Sequence, residues 1–162
     1  MSTISILLLL LLPSPSSAWD IAGRPRILDG DTLAMKGTRV KLYDIDAPER
    51  DQWCLGHSLV QYPCGEQAAR ALSEAIGTED VRCLSRGTDR YGRILGVCFT
   101  AAGLNLNSWL VRAGYAVSYY RHGGSYLPEE AEAQANRRGL WSGSFEVPGD
   151  FRRRKRDALE RP

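Results

Sequence analysis

The chain has 162 residues, of which 43% are hydrophobic and 25% charged. That is enough for one modest core, and it excludes a fibrous or wholly disordered polypeptide. The net charge of +2 hides an asymmetry. Six of the 21 basic residues lie in 150–162 beside three acids, which leaves 15 basic against 16 acidic residues elsewhere. A strong overall positive field on the body is therefore excluded.

In chain order, Met1 to Ala18 carries no charged side chain, and Ile4 to Leu12 is almost continuously apolar before the small residues Ser14 to Ala18. This pattern predicts a signal peptide over 1–18, cleaved after Ala18, although no Lys or Arg precedes the apolar run. A run of this length falls well short of the ~20 residues that a spanning helix requires. Residues 19–149 are then expected to form the folded domain, and 150–162 a basic, solvated and mobile tail. Short β-like runs follow at Arg24 to Leu28, Thr32 to Lys36 and Thr38 to Tyr43, broken by Asp29-Gly30-Asp31 and Gly37. Gly65 to Ile76 reads as a helix, with Ala68, Leu72 and Ala75/Ile76 on one face and Gly77 as its stop. Val81 to Leu84 and Ile94 to Phe99 read as strands joined through Asp89-Arg90-Tyr91-Gly92. A second helix is expected over Leu106 to Ala113, with Asn105 as cap and Gly114 as stop. A third runs from Pro128 towards Gly139. Strands, a helix, more strands and further helices give an α+β class.

Cys54, Cys64, Cys83 and Cys98 are an even count in an export context, which suggests two disulfides. Three pairings exist. Cys83 with Cys98 is favoured because they flank the hairpin nearly symmetrically, leaving Cys54 with Cys64. A zinc site from Cys54, His57 and Cys64 is the competing reading, and it lacks the usual fourth ligand.

Taken singly, the polar motifs are ordinary turns. Together, Asp31, Asp46 and Glu49 supply carboxylates while Lys41 and Arg93 supply cations. The blocks Asp29-Gly30-Asp31-Thr32, Val40-Lys41-Leu42-Tyr43-Asp44-Ile45-Asp46-Ala47-Pro48-Glu49 and Thr88-Asp89-Arg90-Tyr91-Gly92-Arg93 fall in a fixed order. Asn107 to Ala116, Glu132 to Ala135 and Gly139-Leu140-Trp141 follow. From Arg24 to Trp141 this series resembles the staphylococcal nuclease (thermonuclease) family. The resemblance implies a five-stranded OB-fold barrel with three helices, and a calcium-dependent endonuclease that leaves 3′-phosphate ends on DNA and RNA.

It further implies that Asp31, Asp46 and the Ala47 carbonyl bind Ca2+, a hard ion suited to oxygen ligands. Asp29 and Thr32 would support them. Glu49 would be the general base, and Lys41 and Arg93 would neutralise the phosphoryl oxygens. Lys41 stands where the family has an arginine, and a lysine loses the planar fork that grips two phosphate oxygens. A weakened nuclease is expected, with Lys41→Arg raising its rate; Arg39, on the same strand face, is a candidate compensator. Tyr119 and Tyr120 are candidates for nucleotide contact, with core packing as the alternative. Arg50 to Cys64 reads as an insertion braced by its disulfide. His57 and His122 receive no catalytic role, and Trp109 and Trp141 are expected in the core. The run Arg152-Arg153-Arg154-Lys155-Arg156 is a candidate polyanion contact. An exported, periplasmic or secreted monomer without a membrane span is expected. The rival reading is a non-enzymatic or nearly inactive OB-fold polyanion-binding protein linked to exopolysaccharide biosynthesis.

Overall fold

The computed structural model describes residues 20–120 and 123–161. The expected signal peptide, Trp19 and His122 lie outside them. Strands β1 (Ile21–Gly23), β2 (Arg26–Asp29), β3 (Thr32–Met35) and β4 (Thr38–Leu42) open the chain. Two short strands, β5 (Ile45–Asp46) and β6 (Cys54–Leu55), come next. β7 (Gln61–Tyr62) leads into α1 (Cys64–Ile76), and β8 (Val81–Thr88) and β9 (Ile94–Thr100) form the long hairpin. α2 (Leu106–Arg112), β10 (Val117–Ser118), α3 (Leu127–Ala135) and α4 (Pro148–Leu159) complete the fold.

The main sheet has strand order β1-β8-β9-β4-β3-β2, and β5 pairs with β10 beside it. All its pairings are antiparallel except β4 with β9. This is the α+β, OB-like architecture that the sequence led us to expect. It differs in detail: Ile21–Gly23 adds a sixth strand against β8, and the described residues form four α-helices, not three. The fourth is α4, where a solvated tail was expected; ion pairs rather than an apolar stripe hold it to the body, as described below.

Alternation on β4 sets the geometry of the site. Val40 and Leu42 are fully buried in the core with Leu33, Leu72, Leu106 and Leu110. Arg39 and Lys41 therefore share the other face. α1 is amphipathic, burying Ala68, Leu72 and Ile76. It ends at Gly77, which has the positive φ of 62° that favours glycine. Asn105 caps α2 as expected, its side chain accepting from Ser108 N–H at 3.1 Å. Trp109 is partly buried against the main core, and Trp141 against a smaller cluster that includes Cys54 and Leu140. Both expected disulfides are present: Cys83–Cys98 joins directly opposed residues of β8 and β9, and Cys54–Cys64 ties the insertion to α1. Their pairing removes Cys54 and Cys64 as zinc ligands. Among the described residues, no helix is long and apolar enough to cross a membrane.

Candidate active site

Lys41 and Asp46 are five residues apart, and a straight strand would not bring them together. The chain bends at Tyr43-Asp44, where Asp44 takes a left-handed φ of 61°. Buried Asn107 secures the bend, donating through Nδ2 to Tyr43 O at 2.9 Å and to Gly96 O at 3.1 Å. Asp44 is itself buried, and its Oδ2 accepts from Ser125 N–H. β5 then returns Asp46 to the Lys41 face of β4.

The loop between β2 and β3 brings in Asp31 from the other side. Gly30 allows the close approach, since a Cβ there would lie 2.8 Å from Ala68 Cβ and 2.9 Å from Ala47 Cβ. Asp31 Oδ2 accepts from Ala47 N–H at 2.8 Å and from the Lys41 ammonium, and Oδ1 accepts from Thr32 Oγ1 at 3.0 Å. Lys41 Nζ also lies 3.4 Å from Asp46 Oδ1. Two buried carboxylates, 4% and 3% exposed, thus converge on one cation. Burial pushes Asp31 upward, but the Lys41 charge and the hydrogen bonds from Ala47, Lys41 and Thr32 outweigh it and hold its carboxyl below the usual range.

Asp29 behaves oppositely. Burial, reinforced by the charges of Asp31 and Glu49, pushes its pKa up to about 6 despite the Gly30 N–H bond and Lys41. An unfolded aspartate titrates near 3.8. The protonated fold is therefore favoured below that value, and this stability is lost as pH rises through about 6. In chelator, Asp29→Asn should leave stability unchanged at pH 4. At pH 8 it should stabilise by about 1.5 kcal/mol, half the unscreened value for such a shift because the side chain is part exposed. Urea unfolding at the two pH values measures this; equal stability at pH 8 would contradict the account.

Glu49 sits at the mouth, with its side chain 29% exposed. Its backbone is fixed from two directions. Its N–H donates to Oε1 of the fully buried Gln52 at 3.2 Å, while Gln52 Nε2 donates to Glu146 O at 2.6 Å. α1 also begins so close that a Cβ on Gly65 would lie 1.7 Å from Glu49 O. Only glycine fits there. Neither Gln52 nor Gly65 stood out in the sequence, because each acts through contacts that the local pattern does not show.

The largest departure from expectation is Arg152, on the first turns of α4. Its Nη1 donates to Asp46 Oδ1 at 2.9 Å and to Glu49 Oε1 at 2.7 Å, and its Nη2 donates to Asp46 Oδ2 at 2.8 Å. Burial works against the guanidinium charge, but the hydrogen bonds and charges of Asp46 and Glu49 outweigh it and hold its pKa above the ordinary range. Three more cations of the basic run are paired nearby: Arg153 with Asp150, Arg154 with Glu146 at 2.8 Å, and Lys155 with Asp51.

Arg93 stands apart from this cluster. It ends the β8–β9 turn, where its Nε donates to Asp89 Oδ2 at 2.8 Å and its guanidinium lies 5.7 Å from the Tyr91 ring centre. Arg39 is exposed on the Lys41 face. Tyr119 is tied through its N–H to Asp44 O at 2.8 Å, and the exposed Tyr120 donates its hydroxyl to Glu130 Oε2 at 2.7 Å.

The family described as "Staphylococcal nuclease homologue" matches residues 39–143. The chain belongs to the staphylococcal nuclease family. That span contains Lys41, Asp46, Glu49 and Arg93; Asp31 lies just before it and α4 beyond it. Among curated relatives, "Succinoglycan biosynthesis protein ExoI" of Rhizobium meliloti is 38% identical over 135 residues, covering 82% of this chain and 71% of the relative. An "Uncharacterized endonuclease" of Escherichia coli is 35% identical over 149 residues, covering 88% of this chain and 91% of the relative. The "Micrococcal nuclease" of Shigella flexneri is 32% identical over 150 residues, covering 82% and 80% respectively. Its nuclease relatives make a nuclease-like hydrolase the natural frame for this site.

The donor chemistry suits a hard cation. Asp31 and Asp46 present buried oxygens from two separate elements, and the ammonium between them already shows that positive charge is accepted there. Among the described residues, no three His, Cys, Asp or Glu side chains form a closed cage. An ion that also accepts carbonyl, water and phosphate oxygens fits such an open set.

Proposed function

We propose that the protein is an exported, calcium-dependent phosphodiesterase that cleaves DNA and RNA endonucleolytically and leaves 3′-phosphate ends. The observation that carries this reading is the meeting of Asp31, from the β2–β3 loop, with Asp46 and Glu49, from the stretch that begins at β5, around cationic groups on a staphylococcal nuclease fold. Asp31, Asp46 and the Ala47 carbonyl would hold calcium, whose chemistry when bound is to offset negative charge on a phosphoryl oxygen. Ala47 N–H meanwhile orients Asp31.

Glu49, at the exposed rim, accepts a proton from the attacking water. Attack forms the new P–O bond and the bond to the 5′-oxygen breaks; that oxygen takes a proton from solvent water and departs as the alcohol, and Glu49 returns its own proton to solvent. Lys41 offsets charge on the phosphoryl oxygens from the floor of the site. Arg93 can join it on sharing or leaving Asp89. Cysteine usage supports export, since disulfides persist in oxidising compartments.

Mass spectrometry of the fragments from a defined oligonucleotide tests the reaction. Each upstream fragment should carry a 3′-phosphate, and 5′-phosphorylated downstream fragments would contradict the assignment.

A second reading, polyanion binding without turnover, draws on the name of the Rhizobium relative and on the basic run in α4. The ion pairs of Arg153, Arg154 and Lys155 weaken it, because these three cations already face carboxylates.

A further inference from the structure

Lys41 meets Asp31 and Asp46 with an ammonium where a guanidinium could stand, and Arg152 brings a guanidinium to Asp46 from 106 residues away in sequence. We propose that Arg152 is a phosphate-binding residue of the active site, through which α4 supplies the planar fork that Lys41 lacks. The inference rests on the nuclease reading of the same site.

Three observations support it. First, the guanidinium is placed at the mouth: its side chain is 35% exposed and it touches both Asp46 and Glu49. An arginine carries five N–H donors. Three are used on those carboxylates, and among the described residues the remaining two have no recorded acceptor. A phosphate bound beside Asp46 can take them in charge-assisted bonds, or draw the Nη pair from Asp46 onto its own oxygens.

Second, α4 has anchors of its own. Pro148 is buried, Lys155 pairs with Asp51, Arg154 pairs with Glu146, and Gln52 binds the Glu146 carbonyl. Arg152 is therefore one of several ties that hold the helix, and not the sole one. Third, the charge balance asks for it. Asp29, Asp31, Asp46 and Glu49 crowd the site, and Lys41 with one bound calcium ion would still leave negative charge in excess where an anionic phosphate must approach. Arg152 reduces that repulsion where the substrate must enter.

The test uses Arg152→Gln, Arg152→Lys, Lys41→Arg and the Lys41→Arg/Arg152→Gln double variant of the full chain, with folding checked by circular dichroism. Two quantities are read in calcium: kcat/KM on single-stranded DNA, and the calorimetric Kd for thymidine 3′-monophosphate, which offers one phosphate and is not turned over. Arg152→Gln should lower kcat/KM by about 100-fold, the cost of losing a fixed donor to the phosphoryl oxygens. It should also weaken mononucleotide binding at least tenfold. Arg152→Lys, which keeps the charge and the helix anchor, should remain at least about tenfold down because the fork is gone. Lys41→Arg should restore roughly tenfold in the Arg152→Gln background and change the parent by less than about threefold, the non-additive pattern of two groups sharing one task.

Arg152→Gln or Arg152→Lys with unchanged kcat/KM and Kd would overturn the proposal. So would increased cleavage, which would make Arg152 an obstruction. If the parent chain binds the mononucleotide but does not cleave DNA, the nuclease reading fails separately. The Kd values then still decide: a tenfold loss in Arg152→Gln upholds the phosphate contact, and equal affinity removes it.

Discussion

Glu49→Gln should reduce cleavage of single-stranded DNA by about 10²- to 10⁴-fold, the range expected for loss of a positioned general base. The substitution keeps the length of the side chain and its contact with Arg152, which bonds Glu49 Oε1 at 2.7 Å. It also leaves the backbone bond from Glu49 N–H to Gln52 untouched. Thermal stability should therefore change little, and the loss should fall on kcat more than on KM. Steady-state rates in calcium, with unfolding monitored in parallel, make the comparison. A Gln variant retaining more than a third of the parental kcat would show that Glu49 does not take the proton.

Removing the Cys83–Cys98 disulfide with a Cys83→Ala/Cys98→Ala pair is the largest expected loss of stability. The bridge spans a sequence separation of 15 and both cysteines are fully buried. Freeing a loop of that size costs about 3 kcal/mol. For a domain of this size that corresponds to a fall in Tm of about 10 °C. The effect should reach the site, because β9 pairs in parallel with β4 and Lys41 lies opposite Leu95. The Cys54–Cys64 bridge closes a shorter segment, with a separation of 10. Its loss should cost slightly less stability and more activity, since it braces the turn that carries Glu49. Circular dichroism melts of both pairs decide the order; a Tm within about 2 °C of the parent for the first pair would contradict the account.

Much of this fold is written in local pattern. α1 is visible because Ala68, Leu72 and Ile76 recur on one face, and α2 because Asn105 caps it. The Cys83–Cys98 pairing is favoured, among three, by the near symmetry of the hairpin, and the structure contains it. The short strands β5 and β10 are not visible, since two residues carry no periodicity and each exists only by pairing with the other. The bend that brings Asp46 to Lys41 depends on a left-handed aspartate, Asp44, which sequence pattern does not announce.

α4 was illegible for a different reason. Its sequence is dense in arginine and lysine and has only Pro148 buried, so it reads like a solvated tail. Carboxylates distant in sequence settle its position: Asp46, Glu49 and Asp51, each more than 100 residues earlier. A charge run shows how many cations exist and says nothing of where their partners lie. Arg152 is the consequence: the residue that completes the candidate site was hidden among four others of the same sign. Gln52, buried between Glu49 and Glu146, was hidden in the same way.

The central claim is that Asp31, Asp46 and Glu49 form a calcium-dependent phosphodiesterase centre. The most direct measurement is digestion of a defined single-stranded DNA by the purified oxidised protein, with calcium and with chelator, alongside Asp46→Asn. Cleavage that requires calcium, stops in chelator and falls at least about 100-fold in the variant is the predicted result. Folded protein that binds calcium but leaves the DNA intact, or cleaves it equally well in chelator, would contradict the account.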